Sequence, residues 1–255
     1  GIRNNRYDAQ VPQVVAPLRL KGRVHAFEAQ LARKHTKKKL KFTLPGPMTI
    51  VDTVADRFYG DKVKMAMAFA ELLNQEALAL QADGVDIIQF DEPAFNVYMQ
   101  DAADWGVAAL EVAARGLTCT TAVHICYGYG IKANVDWKQT LGEEWRQYEQ
   151  VFPALAKSSI DQVSLECFHS HVPPELITQH LQHDTAFVRI QTRAMHQPSG
   201  WFMHHHQMVV LPQHRQRGQR LGCQVKWAEV AHARGNQCCS QSPSSQRSQI
   251  QRQRG

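Results

Sequence analysis

The chain has 255 residues, 44% of them hydrophobic, which is enough for one sizeable core and excludes a small disulfide-held secreted fold. No apolar run approaches the roughly 20 residues that cross a bilayer, and no leader segment is visible, so we predict a cytoplasmic protein without membrane contact. The net charge of +6 is uneven, because residues 1–177 carry 19 basic and 21 acidic groups whereas residues 178–255 carry +8.

The first 177 residues predict a repeated strand-then-helix pattern, judged by apolar spacing and by Gly and Pro breaks. In chain order, the predicted elements are a strand at 11–18, a helix at 24–35, a strand at 40–44, a helix at Lys62–Ala82, a strand at 85–90, a helix at 102–115 closed by Gly116, a strand at 119–125, a helix at 143–157, a strand at Gln162–Glu166 and a helix opened by Pro173-Pro174.

This alternation predicts a parallel sheet with helical crossovers, either doubly wound or closed as a barrel. Polar side chains recur where strands give way to loops, at Asp91, His124, Cys126 and Glu166. Barrel enzymes assemble their chemistry from several strands at the carboxyl-terminal rim, so this placement favours the closed form. We therefore predict an α/β fold of the TIM (β/α)8-barrel type over residues 1–177.

Residues 178–255 differ in composition from the rest of the chain. They are rich in Gln, Arg, His and Ser and show no sustained helical or alternating apolar period. Such a segment buries too little apolar surface to offset chain entropy, so we predict an irregular, disordered basic tail. The abrupt change at about residue 177 also fits translation in a shifted reading frame, and the start at Gly1 without Met suggests a fragment.

Three of the polar residues at strand ends form a pattern typical of a metal site. Residues two apart in a strand face the same side, so His124 and Cys126 can reach one ion, and Glu166 ends the next strand. Zinc takes imidazole, thiolate and carboxylate ligands, and a catalytic site keeps one position open for substrate. A thiol entering that position would lose its proton.

Each of these signals has a plainer interpretation. His124 fits a core histidine bonded to the backbone, and Cys126 fits a small buried hydrophobe. Acids before a proline often end strands as solvated turn residues, which applies to Asp91-Glu92-Pro93. Against this, Asp91 follows a run with Ile87, Ile88 and Phe90 that would place its carboxylate at the rim of the barrel mouth, where it would suit a substrate ammonium group.

Four stretches carry a resemblance to a known family: KFTLPGPMTIVDT, GVDIIQFDEPAFNVY, TAVHICYGYGIKANVDW and DQVSLECFHS. Through them, residues 3–176 resemble the catalytic domain of cobalamin-independent methionine synthase in its short, single-barrel form. The stretches are together far more specific than any one ligand pair. The family's opening strand and a glutamate segment that helps to hold homocysteine are lacking, so the resemblance implies an incomplete barrel.

The resemblance implies a methyltransferase that converts homocysteine to methionine with a methyl-folate or methylcobalamin donor and a Zn²⁺ cofactor. It implies that His124, Cys126 and Glu166 are zinc ligands and that Asp91 binds the amino group of homocysteine. Family members have a further cysteine ligand late in the barrel. We assign that role to Cys223, which stands here without the family's surroundings.

Other functions stay open at this stage. One is a zinc-dependent methyltransferase that acts on another thiol, and another is an inactive fragment whose basic tail binds nucleic acid through Lys and Arg. The tail shows no structured nucleic-acid-binding motif, which makes the last possibility the weaker one. Tyr127 and Tyr129 are either donor contacts or packing residues, and the run 204–206 of three histidines fits a solvated segment better than a metal site.

Overall fold

The computed structural model describes residues 1–128, 130–166, 171–173 and 175–176, together with the backbone of 187–189 and 207–211. The strands are β1 (Gln13–Val14), β2 (Lys41–Pro45), β3 (Ala55–Asp56), β4 (Ile87–Asp91), β5 (Thr120–Ile125), β6 (Gln162–Glu166), β7 (Phe187–Arg189) and β8 (Gln207–Leu211). They form a six-stranded sheet in the order β2-β4-β5-β6-β8-β7 and a separate parallel pair, β1-β3.

The helices alternate with the strands of the main sheet. They are α1 (Ala26–His35), α2 (Pro47–Asp52), α3 (Lys62–Ala82), α4 (Met99–Asp101), α5 (Val107–Ala114), α6 (Lys132–Gln139) and α7 (Phe152–Lys157). A π-helical turn at Ala102–Gly106 joins α4 to α5, and 3-10 turns lie at Pro93–Asn96 and Gln147–Gln150. Within the described part of the chain, no helix is long and apolar enough to cross a membrane.

Prolines explain where two predicted elements are shorter than expected. The helix predicted at 143–157 begins only at Phe152, because Pro153 has no N–H and its ring is tolerated only in the first helical turn. The strand predicted at 11–18 is reduced to β1, which is flanked by Pro12 and Pro17. The predicted glycine end of α5 is confirmed, since Gly116 has φ +76°.

Strands β2, β4, β5 and β6 are all parallel and are neighbours in chain order. Each crossover therefore moves one position in the same direction, whereas a doubly wound sheet would reverse direction. This stepwise order is that of a barrel wall, and it confirms an incomplete TIM-type arrangement of four consecutive parallel strands.

The two strands within residues 178–255 join this wall differently. Strand β8 pairs antiparallel with β6, and β7 pairs antiparallel with β8. The run of parallel strands therefore ends at β6. The rest of the predicted tail lies outside the described residues, and its disorder stays a prediction.

The four parallel strands bury one face against helices. Leu44, Phe90, Val123 and Val163 stand in register across the sheet and are at most 1% exposed. They belong to the core that includes Met65 and Leu80 of α3 and Leu110 of α5. Burial of each large apolar side chain stabilises the fold by about 1.5–3 kcal/mol.

Helix α3 is fixed at its amino end and along its length. The Asp61 carboxylate accepts hydrogen bonds from the N–H groups of Val63 and Lys64, at 2.8 and 3.1 Å, and so caps the helix. Further along α3, the Asn74 amide donates to the carbonyls of Ala113 and Arg115 at the end of α5. These contacts hold α3 and α5 as one layer behind the sheet.

Candidate active site

The next row of residues along the sheet carries polar side chains on three of the four strands. Pro45, Asp91, His124 and Ser164 stand in register across the four strands, one position beyond the buried apolar row. Successive residues of a strand face opposite sides, so this row lies on the face away from the helices. Cys126 directly follows β5 and Glu166 ends β6, which brings all four described candidate residues to one rim.

His124 is buried and oriented by the neighbouring strand. Its Nδ1 lies 3.2 Å from both the carbonyl oxygen and the Oγ of Ser164. A proton on Nδ1 satisfies the carbonyl and leaves the lone pair on Nε2. Metal-binding histidines are commonly held in this way by a backbone carbonyl.

Asp91 keeps a carboxylate that is only partly satisfied. From the described residues it accepts one side-chain hydrogen bond, from Nε2 of Gln89 to Oδ1 at 2.7 Å. Burial raises the pKa of Asp91, and the charges of His124 and Lys41 oppose that rise. A partly buried carboxylate of this kind is stabilised by a cationic partner.

The Cys126 thiol is held in its neutral form. Burial raises its pKa to about 11, and the negative charges of Glu166 and Asp91 act in the same direction. The carbonyl of Cys126 accepts a hydrogen bond of 3.0 Å from Nδ2 of the buried Asn96, which fixes the backbone at this position. A bound cation would reverse the balance and favour the thiolate.

Glu166 lies directly beside the chain that follows Cys126. Its Oε2 accepts a hydrogen bond of 2.9 Å from the N–H of Tyr127, and its Oε1 lies 3.5 Å from Nζ of Lys138. Tyr127 is 1% exposed and packs against Trp145 and Tyr148, at ring-centroid distances of 4.7 and 5.2 Å. Of the two alternatives for Tyr127, the structure therefore favours packing, and Tyr129 lies outside the described residues.

The donor set of His124, Cys126 and Glu166 fits zinc in its chemistry, since it offers imidazole, thiol and carboxylate in an environment that penalises an uncompensated negative charge. These three side chains lie at the same rim but do not converge on one point as metal ligands would. Among the described residues, no three or more His, Cys, Asp or Glu are arranged to hold a metal ion. Cys223 lies outside the described residues, so its assignment as a ligand stays a prediction.

Glu92 has a structural role at the rim that the sequence pattern did not reveal. It is fully buried and accepts hydrogen bonds from the N–H groups of Met48 and Thr49, both at 2.9 Å, and from Oγ1 of Thr49 at 2.8 Å. It thereby caps α2. A Cβ atom at Gly46 would lie 2.1 Å from its carboxyl carbon, so only glycine fits there. The sequence feature that could have pointed to this contact is the run Pro45-Gly46-Pro47, which requires a glycine where the Glu92 side chain packs.

The amino-terminal residues cover the rim next to Cys126. The guanidinium of Arg6 lies 3.3 Å from the ring centroid of Trp137, and Arg3 forms an ion pair with Asp52. Burial and the charge of Arg3 lower the pKa of Arg6 to about 10. Between these side chains and Cys126 there is a cavity of about 10 Å³, at the lower limit for holding one water.

Comparisons with known proteins agree on one family. The model of the cobalamin-independent synthase catalytic domain matches residues 6–136. A methionine synthase of Saccharolobus islandicus is 31% identical over 142 residues, which cover 55% of this chain and 37% of that protein. A methionine synthase of Sulfurisphaera tokodaii is 29% identical over 126 residues, with 49% and 32% covered.

Among solved structures, a B12-independent methionine synthase from Shewanella sp. W3-18-1, in complex with selenomethionine, is similar with a TM-score of 0.69. The two are 58% identical, and the match covers 71% of this chain and 53% of that one. The chain thus spans about half of the solved relative, and 37% or less of the two archaeal methionine synthases.

Proposed function

The chain belongs to the family of cobalamin-independent synthase catalytic domains, whose model matches just over half of it, and from this premise we propose that it transfers a methyl group to the thiol of homocysteine to form methionine. The observation that carries the proposal is the shared rim. A partly buried acid, an oriented imidazole and a neutral thiol stand at the ends of adjacent parallel strands, where barrel enzymes hold their substrates.

We propose His124, Cys126 and Glu166 as zinc ligands, with Cys223 as the fourth. Zinc, when bound, supplies positive charge that lowers the pKa of a coordinated thiol, so that a sulfur with an ordinary pKa of about 8.5 reacts as thiolate. The chain's own residues prepare the site. Ser164 orients His124, and the N–H of Tyr127 orients the Glu166 carboxylate.

Asp91 is proposed to bind the ammonium group of homocysteine. Its burial penalises the ionised carboxylate, so that pairing with a substrate cation offsets this desolvation cost. In the transfer, a bond forms between sulfur and the methyl carbon, and the bond from that carbon to nitrogen of a methyl-folate or cobalt of methylcobalamin breaks.

Metal content tests the site without relying on activity. We expect about one zinc per chain by elemental analysis, lost in Cys126→Ser and kept in Cys119→Ser. Cys119 is the matched control because it is also a partly buried free thiol, but lies at the amino end of β5. Zinc retained by Cys126→Ser would contradict the proposed ligand set. A weaker loss in Cys223→Ser would support the fourth ligand.

Activity assays test the reaction itself. The full chain, loaded with zinc, should form methionine from homocysteine with one of the two donors, and Cys126→Ser should reduce the rate by more than the 10–100-fold typical of changes to residues that only support a ligand. A zinc-loaded chain that methylates homocysteine with neither donor would contradict the proposed substrate. Methylation of a different thiol would then favour the alternative function, a zinc-dependent methyltransferase that acts on another thiol.

A further inference from the structure

Gln89 is a buried polar residue on the same face as Asp91. It stands two positions before Asp91 in β4 and is 5% exposed. Its neighbours in register are Thr43 of β2 and Ala122 of β5. Since alternate residues of a strand share a face, Gln89 and Asp91 line the same polar side of the sheet.

The carboxylate of Asp91 determines how the Gln89 amide is oriented. An ionised carboxylate only accepts hydrogen bonds, so the amide nitrogen must face it, as it does at 2.7 Å. The amide oxygen is then directed elsewhere. That oxygen, Oε1, is buried and has no hydrogen-bond partner among the described residues. Such an orphan acceptor is rare in folded proteins, because its desolvation is not compensated.

The neighbouring side chains do not supply the missing donor. Lys41 of β2 is close enough to Asp91 for its charge to act on that carboxylate, yet its ammonium makes no hydrogen bond to Gln89 Oε1. Burial also lowers the pKa of Lys41, so a permanent positive charge there is costly. A donor that arrives with a ligand would satisfy the oxygen.

We propose that Gln89 Oε1 is a second acceptor for the substrate's ammonium group, next to the Asp91 carboxylate. This deepens the proposed function and rests on it, since Asp91 is taken to bind that ammonium. An ammonium group has three N–H donors and needs more than one acceptor when it leaves water. The pair would select α-amino thiols over thiols without an amine, because a ligand lacking the donor leaves both acceptors unpaired.

The test compares an amino acid with its counterpart that lacks the amine. The full chain is titrated calorimetrically with methionine, the proposed product, and with 4-(methylthio)butanoate, which differs only by the missing amino group. Gln89→Met removes the amide at similar size. Gln100→Met is the control, because Gln100 also donates its amide to an aspartate, Asp104 at 2.8 Å, but on an exposed helix.

We expect Gln89→Met to bind methionine about 10-fold or more weakly than the unmodified chain, with the affinity for 4-(methylthio)butanoate unchanged and Gln100→Met unaffected for both ligands. The unchanged second ligand distinguishes a lost contact from a damaged fold. Equal weakening for both ligands, or full methionine affinity in Gln89→Met, would overturn the proposal. Failure of the unmodified chain to bind methionine would instead reject the substrate site of the proposed function, and this inference with it.

Discussion

The two ends of strand β4 carry aspartates in opposite environments. Asp86, just before the strand, accepts a hydrogen bond of 2.7 Å from the N–H of Leu40 and forms an ion pair of 2.8 Å with Arg33, and these contacts lower its pKa. Asp91, the last residue of the strand, has the Gln89 amide as its one side-chain donor in the described part of the chain, and burial raises its pKa. The ionised form of aspartate is thus stabilised at the amino end of β4 and destabilised by burial at its carboxyl end.

This difference repeats at the neighbouring strand. At the amino end of β5, the Asp161 carboxylate accepts from the N–H and Oγ1 of Thr121, at 2.8 and 3.0 Å. Just after the carboxyl end, the Cys126 thiol is partly buried and has a raised pKa. The described residues at the amino ends stabilise the barrel wall, while those at the carboxyl ends include ionisable groups with raised pKa values, at the rim where barrel enzymes bind their substrates.

Glu92 is an exception to this difference between the two strand ends, because it lies at the carboxyl-terminal rim and yet stabilises the fold. Glu92→Ala should lower the free energy of unfolding by about 3 kcal/mol or more, since it leaves a cavity and the buried donors of Met48 and Thr49 unsatisfied. Chemical denaturation measures the effect. The exposed Glu144→Ala, as control, should change stability by less than about 0.5 kcal/mol. A loss that small for Glu92→Ala would contradict the capping role.

Asp91→Asn sharpens the comparison at the carboxyl end. We expect methionine to bind about 100-fold more weakly, because the ammonium loses its charged partner in a buried site. The melting temperature should not fall, because the substitution removes a carboxylate that burial penalises. Calorimetric titration and thermal unfolding of the same preparation measure both. Loss of stability without loss of binding would place Asp91 with the structural acids.

Glu92 also predicts a pH dependence. Burial raises its pKa from 4.5 to about 7, so the folded chain binds more protons than the unfolded chain between these values. The contribution to stability is therefore complete below about pH 4.5 and is lost as the pH rises through about 7, with a slope of at most about 1.4 kcal/mol per pH unit. Glu92→Gln, which cannot ionise, should lack this slope. Parallel pH profiles of the two proteins would refute the prediction.

Asp86→Ala should have the smallest effect of the four. The side chain is partly exposed, so loss of its bonds to Leu40 and Arg33 should cost about 1 kcal/mol of unfolding free energy. Methionine affinity should stay unchanged, because the residue lies at the opposite end of the strand. Weaker methionine binding in Asp86→Ala would show that the two ends are not independent.

Much of the fold followed from local patterns. The periodicity of α3 and the apolar runs of β4, β5 and β6 predicted these elements closely, because each is decided by residues a few positions apart. Helices α2 and α6 were not predicted. The first depends on the Glu92 carboxylate, 44 residues from Met48 in sequence, and no local period reveals such a contact.

The sequence by itself determined which chemical groups stand at strand ends, because the two-residue period of a strand assigns His124 and Cys126, or Gln89 and Asp91, to one face. Only the tertiary structure decided what each group experiences. Whether a carboxylate accepts several hydrogen bonds, as Glu92 does, or is stabilised by a cation, as we propose for Asp91, depends on groups brought from other strands and helices. Burial and hydrogen-bond partners are long-range properties, so they arise only when the chain packs.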